Sequence, residues 1–295
     1  EAPLGSFTES IGNRNFENIS QSISKELTDI YNWLIANKLS LNLGKTKFML
    51  FHNPQKNIDD FQLNLVINNF EIENITSFDF LGTVISSTLS WKSHISKISN
   101  KISRTLGVMN KMKHFLPSHI LRMIYNSLIS PHLNFGILSW GFECQRLQKL
   151  QKKAVRIITS SKFNAHSEPL FKRLNIIKIE HIFHLKCLNF YYKFIKGSIP
   201  EYFQSMFTKN ESIHSYGTRQ KSLLHRTKTN TSSARQCIRH HIPKLINEVP
   251  SCISDKLRSH SYHGFSNYVK RYHLNSYKIN CEIENCYICS NNNQI

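Results

Sequence analysis

The 295 residues carry 38 Lys/Arg against 19 Asp/Glu, a formal net charge of +19 with histidines neutral. This length and a 40% hydrophobic content suit one large or two modest domains with a sizeable core and exclude a disordered chain. No run of about 18 apolar residues occurs, so no membrane-spanning helix is expected. In chain order, Phe16, Ile19, Ile23, Leu27, Ile30 and Leu34 recur at spacings of three and four, which predicts one amphipathic helix ending near Asn37. Residues 47–51 are an apolar run of strand length, broken by Pro54 and Asn57. Residues 62–67 and 70–72 flank Asn68-Asn69, a pair that tolerates the left-handed backbone of a hairpin turn. Residues 78–86 read as a further strand with Gly82 inside it, where the missing side chain implies a bulge or a close backbone approach.

After Trp91 the periodicity becomes helical. Ile95, Ile98, Ile102, Leu106 and Met109 form one stripe, with Lys97, Lys101 and Arg104 beside it. Pro117-Ser118 opens a second helix, with Ser118 as N-cap, a core face of Leu121, Ile124 and Leu128, and an end at Pro131. Leu147, Leu150, Ala154 and Ile157 mark a third, whose other faces carry Arg146, Lys149, Lys152, Lys153 and Arg156. Further helices are expected over 168–174, 179–195 (stopping at Gly197), 200–207, 234–247 and 259–272, with a polar, linker-like stretch at 212–233. The expected fold class is α+β: a small antiparallel sheet with one helix over 1–91, a mostly α-helical domain over 92–211, and a basic, helical C-terminal region over 212–295.

Charge is unevenly placed. Residues 1–91 hold 6 Lys/Arg against 10 Asp/Glu, whereas the remaining 204 hold 32 against 9. Lys92–Arg156 has 12 basic residues and one acid, Glu143; Arg219–Lys278 has 12 and two, Glu248 and Asp255. Such fields attract polyanions and give salt-dependent binding, so nucleic acid is the expected partner, a merely basic surface being the alternative. Seven scattered cysteines do not read as a disulfide framework and favour a reducing compartment, nucleus or cytoplasm. The first residue is Glu, not Met, and the opening residues lack a signal-peptide layout, so a fragment or a processed product is expected.

Asn37 to Phe51 reads Asn-Lys-Leu-Ser-Leu-Asn-Leu-Gly-Lys-Thr-Lys-Phe-Met-Leu-Phe. Its pattern, matched at Leu39 or Leu41, Asn42, Lys45, Thr46, Met49 and Phe51, resembles polymerase motif D of non-LTR (LINE-like) retrotransposon reverse transcriptases. Phe80, Leu81 and Gly82 resemble motif E, the primer grip, where a glycine beside aromatics lets backbone approach the primer end. Trp91-Lys-Ser-His94, Leu116-Pro117, Tyr125 to Ile129, Pro131 to Gly136, Trp140-Gly141 and Leu147 to Ile158 are similar, in order, to the helical thumb of that family. A looser similarity continues through His214–Arg219 and His240–Pro250, so the resemblance covers roughly residues 15–278. It implies an RNA-directed DNA polymerase family, a palm remnant carrying motifs D and E, and a thumb gripping RNA or an RNA/DNA duplex. Lys97, Lys101, Arg104, Lys149, Lys152, Lys153 and Arg156 would then contact phosphates, a solvated face being the alternative for each alone.

One departure weighs heavily. A two-metal polymerase needs a carboxylate cluster to hold its Mg²⁺ ions, yet Asp29, Asp59, Asp60 and Asp79 are the only aspartates before Trp91. Asp59-Asp60, the adjacent pair, follows the motif D match instead of preceding it, and reads as a solvated turn. The expectation is therefore a chain that cannot polymerise alone, in which Lys45, matching the lysine thought to protonate departing pyrophosphate, is vestigial. A missing N-terminal polymerase part would be a partner. Cys281-x4-Cys286-x2-Cys289, with His273 eight residues before Cys281, offers four soft ligands for Zn²⁺, free thiols being the alternative. Three functions stay open: a fragment of a retrotransposon polymerase that binds nucleic-acid backbone, a non-enzymatic nucleic-acid-binding protein derived from such an element, or a decayed open reading frame.

Overall fold

A computed structural model describes residues 16–55, 63–213, 217, 219–230, 234 and 237–279. The chain divides into two compact units, Glu1–Ser90 and Trp91–Ile295. Coarsely it is α+β; among the described residues the strands lie in the first unit and the second is mainly helical. Among the described residues no helix is long and apolar enough to cross a membrane.

In the first unit the expected amphipathic helix is α1, Phe16–Ala36. It covers a small core of Leu65, Ile67 and Ile72, against which Ile23, Leu27, Tyr31 and Phe48 pack. Strands β2 (Val66–Ile67) and β3 (Phe70–Glu71) form the hairpin foreseen at Asn68-Asn69, whose φ angles of 45° and 63° are both left-handed. Asn68 Nδ2 also donates to the Tyr31 hydroxyl at 2.9 Å, tying the turn to α1.

The strand pattern departs from expectation in two ways. Instead of one antiparallel sheet the described residues form three two-stranded ladders, and β1 (Lys47–Phe48) pairs with β4 (Glu73–Asn74) in parallel. Burying Leu65, Ile67 and Ile72 with Phe48 under α1 sets the segment leaving the hairpin alongside β1 in the same direction. Nor is 78–86 a single strand. It folds back as β5 (Ser77–Phe80) and β6 (Thr83–Ser86), with Phe80 opposite Thr83, so Leu81-Gly82 is a two-residue turn. Both residues have positive φ, 49° and 85°, the geometry whose twist matches a hairpin.

In the second unit α2 (Lys92–Met112) packs along α6 (Gln145–Ile158), with Ile95, Ile98, Ile102, Leu106 and Met109 buried from the first and Leu147, Ala154, Val155, Ile157 and Ile158 from the second. The helix expected to stop at Pro131 runs through it. Between α3 (Ser118–Ile124) and α4 (Ser130–Asn134), residues Tyr125–Ile129 form a π turn in which Ser130 N–H reaches back to Tyr125 O. The wider turn relieves the steric conflict of a proline ring with the preceding turn. It also moves the apolar face by one residue: Leu121, Tyr125, Ile129 and Leu133 are buried at uniform spacings of four, and Leu128, expected inside, is exposed. Ser118 is the first helical residue, and the N-cap is Pro117.

A short helix, α5 (Ile137–Trp140), places Trp140 in the core, where its indole N–H donates to Phe135 O at 3.0 Å. Trp91 and Trp140 both meet the buried His94 edge-on, at 6.1 and 5.8 Å. Gly141 follows because a Cβ there would lie 2.5 Å from Cδ2 of Phe183. Helices α7 (Ser167–Arg173) and α8 (Ile179–Ile195) match expectation, and the left-handed Gly197 (φ 64°) ends the latter. The helix expected over 200–207 is only a 3-10 turn, Glu201–Phe203; beyond it Phe207 is drawn edge-on to Phe194 at 5.0 Å and Phe190 at 6.4 Å.

The stretch expected as a linker is partly core. Leu224 is buried, its N–H donating to Asn247 Oδ1 at 3.0 Å and its carbonyl accepting from Asn247 Nδ2 at 2.9 Å. Asn247 lies on α9 (Ile238–Glu248); α10 (Ser251–Ser259), which the periodicity does not reveal, and α11 (Tyr262–Asn275) follow. Ser261 caps α11, accepting from Gly264 N–H.

The buried start of α8 organises this unit. Its first N–H, of Ile179, donates to Gln151 Oε1 at 2.8 Å, and the preceding N–H, of Lys178, donates to the Tyr277 hydroxyl at 2.9 Å. Gln151 Nε2 in turn donates to Tyr125 Oη and to Ile177 O, both at 2.9 Å, so a fully buried amide is satisfied from α6 toward two other elements. Tyr277 Oη also lies 2.8 Å from His181 Nδ1, while Lys172 Nζ donates to Tyr277 O at 3.0 Å.

Two outcomes follow from this joint. Gln151→Leu leaves the Ile179 N–H and the Ile177 carbonyl buried without partners and should cost roughly 3 kcal/mol in chemical denaturation, measured as a lower midpoint at unchanged slope. The second concerns acid. His181 stacks on His273 at 4.3 Å with an interplanar angle of 13°. Burial, then the neighbouring His184 and Lys178, lowers His181 to about 4; burial, then His181 and His184, lowers His273 to about 3. Below about pH 6.5 the unfolded chain binds protons that the folded chain refuses, so stability present at neutral pH is lost progressively down to pH 3–4. The urea midpoint should fall between pH 7 and pH 5, and His273→Phe, a stacked ring with no proton to gain, should narrow that gap.

Candidate nucleic-acid interface

The sequence-designated cations fall on the outward sides of the two longest-packed helices of the second unit. On α2 the apolar stripe faces the core, while Lys101 and Arg104 are exposed and Lys97 is half-buried. One further turn along the same outer side come Val108 and Met112, both exposed, and then Phe115. His132 on α4 lies near Lys101: burial first, then that ammonium, holds its imidazole below the usual histidine range. On α6, Lys149 and Lys153 are exposed and Lys152 is half-buried, opposite a core face containing Gln151.

Arg156 differs from the others. Its Nε donates to Ala165 O at 2.8 Å, and burial lowers its pKa, so part of its donor capacity holds the loop between α6 and α7. Its remaining guanidinium N–H groups are what it could still offer an anion. The helix period explains the separation: positions three and four apart share a face, so a stripe of isoleucines and leucines sends the intervening lysines outward.

The first unit holds the other designated residues. Lys45 is exposed in the turn that leads into β1, where its N–H donates to Asn42 Oδ1 at 3.2 Å and Thr46 Oγ1 donates to Asn42 O at 3.0 Å. The Asn-x-x-Lys-Thr spacing thus has a local structural sense, since Asn42 closes the turn with both side chain and backbone. The neighbouring Lys47 pairs with Glu73 across the parallel ladder. Phe80, Leu81 and Gly82 form the tip of the β5–β6 hairpin, with Leu81 78% exposed and Phe78 beside Phe80 on the same open face. This is an apolar finger set on a short ladder.

Asp29 lies on α1 and Asp79 on β5, whereas Asp59 and Asp60 lie outside the described residues. Among the described residues no group of three or more His, Cys, Asp or Glu is placed to hold a metal ion. Of the residues designated for zinc, His273 is turned into the second unit, flat against His181, with its Nε2 buried. Cys281, Cys286 and Cys289 lie outside the described residues.

Periodicity alone did not reveal the polar joint of Gln151 and Tyr277, because a lone Gln or Tyr in an apolar stripe carries no local signature. The hairpin tip yields a prediction. Leu81→Asn places Asn-Gly in a turn that favours it, and should raise stability by about 1 kcal/mol in urea unfolding, because a branched apolar residue is strained at positive φ. If the tip touches a ligand, the same substitution weakens binding while stabilising the chain, two effects that anisotropy and denaturation separate.

No protein-family model, curated protein or solved structure matches this chain.

Proposed function

We propose that this chain is a nucleic-acid-binding part of a non-LTR retrotransposon reverse transcriptase, gripping backbone phosphates through α2 and α6 without catalysing nucleotide addition by itself. The observation that carries the reading is the division of those helices into an apolar core side and an outer side bearing Lys97, Lys101, Arg104, Lys149, Lys152 and Lys153. Backbone contacts need positive charge held on a rigid support and no base-reading code, which is what such helices provide. The order of the motif-like segments from Asn42 to Ile158 supports the family assignment. The exposed Phe80-Leu81-Gly82 tip supports a primer-grip-like role for the hairpin.

A non-enzymatic binder derived from such an element shares the same interface. The closed core of the second unit, with Trp140, Phe171, Ile102, Leu133 and Leu147 fully buried, supports either reading over a decayed frame.

The test is salt-dependent binding. Affinity for an RNA/DNA duplex should fall steeply between roughly 50 and 200 mM salt, and replacing Lys149, Lys152 and Lys153 together by Ala should reduce the log–log salt slope by about 3. A slope unaffected by that triple substitution removes α6 from the interface. With Mg²⁺, primer extension by this chain should yield no product above a heat-killed control.

A further inference from the structure

A second surface of the C-terminal segment is chemically unlike the lysine-rich helices. On α11, Tyr268, Arg271, Tyr272 and Asn275 recur at i, i+3, i+4 and i+7, one side of the helix, and with Ser276 they line a shallow groove of about 410 Å³. The helix is anchored from elsewhere on its circumference, where Phe265 and Val269 are buried and Phe265 stacks on Tyr192 of α8 at 5.4 Å. The groove wall is therefore rigid.

The two tyrosines are differently held. Tyr268 is held by two contacts from α10 and its end: the Lys256 ammonium 6.0 Å from its ring centre and the His260 ring edge-on at 6.3 Å. Tyr272 is 36% exposed, and the His273 ring stands at 74° to it with 5.8 Å between ring centres. Arg271 and Asn275 are exposed beside it.

We infer that this side of α11 is a stacking platform for unpaired nucleobases, so that the chain holds a single-stranded nucleic acid there in addition to the backbone gripped by α2 and α6. The inference rests on the nucleic-acid reading above and extends it to a different ligand form. Tyrosine rings offer flat π faces to bases that are not already stacked in a duplex. The planar guanidinium of Arg271 suits a phosphate or a further stack, and the Asn275 amide can both donate to and accept from a base edge. The surrounding segment, Arg219–Lys278, carries 12 basic residues against two acids, complementary to a polyanion. An acidic peptide would satisfy the charge and leave both ring faces without a matched partner.

The experiment measures anisotropy of a labelled oligouridine of about 12 nucleotides and of a duplex of equal charge, using the full chain at two salt concentrations. Tyr272→Ala should weaken single-strand binding about five- to hundredfold, by the same factor at both salts, because stacking is not a counterion effect. Duplex affinity should change less than twofold, and Tyr272→Phe, which keeps the ring, should bind like the unsubstituted chain. An unchanged melting temperature for Tyr272→Ala certifies the fold. Equal losses on both ligands, or no loss on the single strand, overturn the platform while leaving duplex binding by α2 and α6 intact. Failure of the unsubstituted chain to bind either ligand overturns both readings. Tighter binding of a polyglutamate peptide than of oligouridine, lost in Tyr272→Ala, marks a peptide site and overturns the platform.

Discussion

A helix that begins inside a protein must find partners for its first N–H groups where no water can supply them. The start of α8 meets that requirement with side chains remote in sequence: Gln151, 28 residues before Ile179, and Tyr277, 99 residues after Lys178. Local capping is absent there, because Lys178 offers no side-chain acceptor. The two distant caps therefore set the position of α6 and of the C-terminal segment at the same time. Lys178 reinforces the joint with an ion pair to Glu168 at 2.6 Å, and its ammonium lies 4.7 Å from the centre of the Tyr277 ring.

This joint bears directly on the basic surface. Gln151 sits on the inner side of α6 among Leu147, Ala154 and Ile158, and the same helix turns Lys149 and Lys153 outward. Fixing the amide in three hydrogen bonds fixes the rotation of α6 about its axis, and with it the direction of the lysines. A purely apolar interface would tolerate small rotations, since burial is non-directional. The hydrogen-bonded amide does not.

Local chemistry was legible and longer-range compensation was not. Asn68-Asn69 announced its turn because the residue type matches a left-handed backbone, and Gly197 announced the end of α8 for the same reason. The stripes of α1, α2 and α6 were readable because their periods stay near 3.6. Leu128 was placed inside by that same period and lies outside, since the π turn at Tyr125–Ile129 adds a residue that no propensity signals. Residues 78–86 looked like one strand because Leu is a poor marker for a left-handed turn; only Gly82 hinted at it. Phe207 left its expected helix for the aromatic group of Phe190 and Phe194, a tertiary contact overriding a local preference. Of the designated cations, Lys101, Lys149 and Lys153 were readable as solvent-facing, whereas the partial diversion of Arg156 to Ala165 O depended on a loop conformation.

The distance in sequence between Lys178 and its hydroxyl partner has a consequence for biosynthesis. A ribosome moving at about 5–20 residues per second needs roughly 5–20 s to travel from Lys178 to Tyr277, 99 residues later. During that interval the start of α8 has its glutamine partner already made and its tyrosine partner not yet translated. The partner that the Lys178 N–H finds in the folded chain thus exists only once the last part of the helical unit has been made.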